Sequence, residues 1–144
     1  MRLATLLAAA AQTLPGVAAT SAWAGDTPAP ANATAGFANL KDGDTVTSPF
    51  LVKFTETGLK ILPAGADVPN TGHYHLLIDT TLTPAQMHYA IPKDATHLHF
   101  GKGQTETTVT LPPGKHTLQV VMGDGTHELH NPPVLSPVIT VSVK

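Results

Sequence analysis

The stretch HYHLLID, residues 73–79, decides the fold. Successive side chains of a strand point to opposite faces. Tyr74, Leu76 and Ile78 therefore share one face, and His73, His75, Leu77 and Asp79 share the other. The same alternation recurs on both sides of this stretch. Upstream, Phe50, Val52 and Phe54 alternate with Leu51, Lys53 and Thr55. Downstream, Leu98 and Phe100 oppose His97 and His99, residues 105–111 are β-branched, and Leu118, Val120 and Met122 align, as do Ile139, Val141 and Val143. Turn signals separate these runs, among them Thr57-Gly58, Pro112-Pro113-Gly114 and Gly123-Asp124-Gly125. Short alternating segments with turns at about 8–12-residue intervals predict an all-β fold, an immunoglobulin-like β-sandwich of about seven strands. The aligned apolar residues are expected to form one core between two sheets. The run Leu111 to His116 reads as the entry to the penultimate strand, with His116 as a hydrogen-bonding ring at the corner.

Residues 1–24 read as a signal peptide: Met1-Arg2, an apolar run over residues 3–11, and the A-x-A cleavage signature Ala22-Trp23-Ala24. Residues 25–35, rich in Pro, Ala, Thr and Asn, read as a flexible leader, and residues 36–144 as the sandwich domain. The mature chain is expected in the periplasm or secreted, with no membrane span, since no later run approaches ~18 apolar residues. There is no Cys, which excludes disulfides, thiolate metal sites and a Cys nucleophile. The net charge is −2 and the single arginine lies in the signal, so no nucleic-acid footprint exists.

The histidines carry the chemistry. Eight occur in 144 residues, four of them in the pairs His73/His75 and His97/His99. On a strand, each pair sets two imidazoles side by side, roughly 7 Å apart at the backbone. Neutral imidazoles chelate borderline and soft metals. Without Cys, copper fits the donor set best and zinc next, whereas calcium requires oxygen ligands. His127 and His130 are further candidate ligands, on a loop that can meet one end of the sandwich. The alternative for the two pairs is that they line a polar sheet face or hydrogen-bond to loops. His88 reads as solvated. Met122 lies on a core face and Met87 has no partner in view. Asp79, on the face of His75, is a candidate acid–base partner or an orienting carboxylate.

Four segments together resemble a family of bacterial exported domains catalogued as domain of unknown function 4399. They are GHYHLLID (72–79), HFGKGQTE (99–106), LPPGKHTLQ (111–119) and HELHNPP (127–133). The resemblance implies an exported β-domain and no particular reaction. Because that family often has His where Tyr74 stands, it also implies that Tyr74 is not an essential ligand.

The Gly101-Lys102-Gly103 glycines lack the spacing of a nucleotide P-loop and read as a tight turn that Gln104 and Glu106 help tie to a neighbouring loop. No G-x-S-x-G elbow or H-E-x-x-H helix occurs. Enzymatic activity is left open, and the residues point away from it. The expected function is a periplasmic metal-binding domain, with copper or zinc as the ion. The alternative is a metal-free envelope module recognising a protein or glycan.

Overall fold

The computed structural model describes residues 27–144. The signal segment and its cleavage motif lie outside the described residues. The strands are β1 (Thr34–Phe37), β2 (Thr45–Val46), β3 (Phe50–Thr57), β4 (Lys60–Ile61), β5 (Thr71–Ile78), β6 (His97–His99), β7 (Glu106–Val109), β8 (Gly114–Gly123) and β9 (Ile139–Val143). Seven have three residues or more, as the alternation requires; β2 and β4 are two-residue pairings. A single 3-10 turn, Gln86–His88, interrupts the long connection after β5.

The strands form two sheets. One has the order β1-β3-β7 and the other β2-β9-β8-β5-β4, with β6 also on β5. β2 runs parallel to β9 and β4 parallel to β5, whereas β5–β6, β5–β8 and β8–β9 pair antiparallel. This ordering is that of an immunoglobulin-like sandwich, in which first, second and fifth strands face third, sixth and seventh. Phe50, Val52, Phe54 and Val109 from the smaller sheet meet Tyr74, Leu76, Ile78, Leu118, Val120, Met122, Ile139, Val141 and Val143 from the larger one in a single core. Tyr74 buries its ring against Phe54 and donates its hydroxyl to Glu56 in the facing sheet. Burial, then that hydrogen bond, raises the phenol well above its ordinary value.

His116 is the third residue of β8, just past the Pro112-Pro113 turn, and is half-buried. Its Nε2 lies 2.9 Å from the Pro112 carbonyl and its Nδ1 2.6 Å from Asp79 Oδ2. Both partners are acceptors, so both ring nitrogens must donate. The bond to Asp79 raises the His116 pKa. Asp79 is thereby removed from the role read for it beside His75. With φ of 55° it turns off the end of β5, and its other oxygen accepts the Thr117 N–H at 2.9 Å.

Two stretches differ from their sequence reading. β1 begins inside the stretch read as a flexible leader, and Thr27 to Pro30 are also held. Ala29 N donates to Asn131 O and Asn131 N to Thr27 O, at 2.9 and 2.8 Å. The paired backbone orders a composition that carries no apolar period. The connection after β5 and the loop at residues 127–133, whose sequences show no strand alternation, bury Leu82, Ile91, Leu129 and His130. They do so because the outer face of the larger sheet exposes Leu77 and Val121, and these five apolar side chains form a second cluster. All eight residues of β5 are consequently buried.

Candidate metal centre

The histidine site occupies the other half of that covered outer face. β5 supplies His73 and His75. In β6, His99 stands directly opposite His75, and His97 opposite Leu77. In β8, Gly123 stands opposite His73 and Val121 opposite His75. The turn after β8 brings in His127. The four rings of His73, His75, His99 and His127 converge, with neighbouring centroids 4.7–5.1 Å apart and His75 to His127 at 6.4 Å. One ring nitrogen from each of His73, His99 and His127 lies within 4.8 Å of the other two.

His127 comes from a loop shaped by Asp124. Asp124 Oδ1 accepts from Thr126 N, Thr126 Oγ1 and Glu128 N at 2.8, 2.8 and 3.0 Å. Its Oδ2 accepts from Thr27 Oγ1 at 2.6 Å. Burial opposes ionisation of this carboxyl, but the donated bonds outweigh it and lower its pKa. The wrapped loop holds His127 at φ 70°, a conformation uncommon for a residue with a side chain. His127 N donates to Asp124 O, and Ile91 N donates to His127 O, which ties the loop to the connection after β5.

The imidazoles are poorly satisfied. His73 Nε2 and His75 Nε2 are 3.0 Å apart, so one donates and the other accepts. His75 Nδ1 and His99 Nε2 are buried without any hydrogen-bond partner. Each such group costs about 1–3 kcal/mol. Burial, then His99 and His127, lowers the His73 pKa to about 4. Burial, then His73 and His99, lowers that of His75 strongly, and burial, then His127, lowers that of His99. These three rings are therefore neutral at pH 7, the form in which imidazole binds metals.

The other histidines stand apart from this convergence. His97 shares the outer face, but its Nδ1 lies 2.8 Å from Asp94 Oδ1, and its Nε2 is buried and unpaired. His130 is fully buried, with Nε2 2.9 Å from Thr71 O. His88 is exposed. Tyr74 points into the core, away from the cluster. Sequence reading missed Asp124 and Thr27 as organisers of the loop. Asp94, three residues before His97, is a local signal that was available: it also accepts the backbone N–H of Thr96 and His97 at 2.9 Å, an Asx-type turn.

Chemically, the cluster offers nitrogen donors only. Both oxygens of Asp124 are engaged, Asp94 is turned to His97 and Thr96, and Asp79 to His116. Such a set can hold a borderline or soft cation and does not suit a hard one. No helix among the described residues is long and apolar enough to cross a membrane. In comparisons with known proteins, the family model described as Domain of unknown function (DUF4399) matches residues 52–144. No curated protein and no solved structure matches.

Proposed function

The chain belongs to the DUF4399 family, and we propose that it is an exported, periplasmic metal-binding domain whose ion, copper before zinc, is held by His73, His99 and His127 with His75 beside them. The observation that carries this reading is the mutual approach of three donor nitrogens within 4.8 Å, from the buried His73 and the half-buried His99 and His127. An ion with metal–nitrogen bonds of about 2.0–2.1 Å draws tetrahedral donors to roughly 3.3 Å from one another. The nitrogens then need to close by at most about 1.5 Å. A bound metal would also give the buried, unpaired Nε2 of His99 a partner for its lone pair. Copper ranks first because the donors are all imidazole and copper heads the affinity order for nitrogen sites.

A second reading, a metal-free module for a protein or glycan, is favoured by a different feature. A groove of about 320 Å³ lies between Thr27, Gly65 to Val68, and Asp124 to Thr126. The histidines themselves fit that reading poorly, since His73 and His75 are 1% and 0% exposed.

The test is elemental analysis of the purified protein, followed by titration with Cu(II), Cu(I) and Zn(II). The expected result is one ion per chain, with copper bound more tightly than zinc. Absence of stoichiometric binding for all three ions would reject the metal reading. Tighter zinc would keep the site and overturn the copper assignment.

A further inference from the structure

Glycine is the residue of choice where φ is positive, and Gly43, Gly58, Gly65, Gly103 and Gly114 have that reason. Gly101 and Gly123 do not: their backbone torsions are open to any residue. What they lack is room. A Cβ on Gly101 would stand 2.2 Å from Cε1 and 2.6 Å from Nε2 of His99. A Cβ on Gly123 would stand 2.8 Å from Nε2 and 3.1 Å from Cδ2 of His75, and 3.3 Å from Cε1 of His73. Contacts below 3.0 Å overlap the atoms outright, so either the ring or the backbone must move. Gly36 shows the contrast. It also has ordinary torsions, but its nearest neighbour would be Thr55 Cγ2 at 3.7 Å, an ordinary contact.

We propose that Gly101 and Gly123 are positioning residues of the histidine cluster, kept free of side chains so that the imidazoles of His99, His73 and His75 can converge on one point. Gly101 lies two residues after His99 and leaves the space its ring fills. Gly123 lies opposite His73 in β8 and leaves the space shared by the β5 pair. The consequence for an ion rests on the metal-binding reading, whereas the packing itself does not. Neither glycine touches the ion. Each acts by denying the imidazole an alternative neighbour, and a methyl group at either place turns a donor nitrogen away from the cluster.

The experiment compares Gly101→Ala, Gly123→Ala and the control Gly36→Ala, with two readouts. The first is the imidazole carbon–hydrogen NMR signals of the metal-free protein. Those of His99 are expected to move in G101A, those of His73 and His75 in G123A, and none in G36A. The second is Cu(II) affinity, expected to fall at least tenfold in G101A and G123A and to stay within about twofold in G36A. Moved signals with no metal binding in any form, wild type included, would uphold the positioning role and reject the metal reading. Unmoved His99, His73 and His75 signals together with unchanged affinity would overturn the proposal. Should G101A fail to fold, the double variant with His99→Ala removes the clashing ring and is expected to fold. A double variant that also fails to fold would overturn the proposal for Gly101.

Discussion

Along β5, the inward side chains Tyr74, Leu76 and Ile78 and the outward ones His73, His75 and Leu77 are all buried, yet they meet opposite kinds of neighbour. Inward, every apolar surface packs on another and the one polar group, the Tyr74 hydroxyl, has Glu56 as partner. Outward, Leu77 packs into a small apolar cluster, while two residues away His75 keeps a nitrogen with no partner at all. Burial alone therefore does not tell the two faces of β5 apart; they differ in whether the polar atoms under cover are satisfied.

The comparison can be broken most severely on the inward side. Leu76→Ala should lower stability by about 2–5 kcal/mol, read by denaturant unfolding, because the inner core leaves a cavity it can only partly close. Metal affinity, measured under folding conditions, should change far less. A smaller loss than about 1 kcal/mol would mean that the inward face is not the core of the fold.

On the outward side the two effects exchange places. His99→Ala should weaken Cu(II) binding by at least a hundredfold, about 2.7 kcal/mol, with little loss of stability in the metal-free protein. His88→Ala, on the exposed turn, should leave both quantities unchanged. Equal losses of affinity in the two variants, followed by calorimetric titration, would remove the special status of the cluster.

Acid sharpens the same contrast. The folded His73 titrates near 4 against an ordinary 6.5, so between those values the unfolded chain takes up a proton that the folded one refuses. The contribution of His73 to the stability of the metal-free protein is thus expected to be fully present above about pH 6.5, to fall as pH drops toward 4, and to level off below. His75 and His99 act in the same direction. Metal affinity should fall with pH as well, since protons and the ion compete for the same lone pairs. Unfolding curves at pH 7.5, 5.5 and 4 check the sign; stability that rises toward pH 5 would contradict it.

The smallest effect is the most telling about purpose. His75→Leu removes a buried unpaired nitrogen and supplies apolar surface beside Val121, but it also takes the partner of His73 Nε2 away. The two effects offset, so the metal-free protein should change in stability by no more than ~1 kcal/mol, while copper binding weakens. A loss of several kcal/mol would show that His75 serves the fold and not the site.

Much of the inward face was readable in the chain, because period-two alternation in HYHLLID and in the strands around Val52, Val120 and Val141 has only one physical solution, a shared core. The His73/His75 pair and His99 were readable for the same reason. What escaped is what no period encodes. His97 has the same spacing to His99 that His73 has to His75, but Asp94 captures its ring locally. The position of His127 depends on hydrogen bonds to Asp124 from residues as distant as Thr27. Leu129 and Leu82 are isolated apolar residues in polar surroundings, and only the uncovered outer face of the larger sheet gives them a place to go.

The sheets end in very short margins. β2 and β4 have two residues, β6 has three, and β1 and β7 have four each. A strand margin is a template on which another chain can add itself, and its hazard grows with its length. Among the described residues no margin strand is longer than four residues, and that of β7 carries Glu106 beside Lys53. The long strands, β3, β5 and β8, are all interior. A domain without cysteines, lacking any covalent clasp, therefore presents little edge on which fibril-like stacking could start.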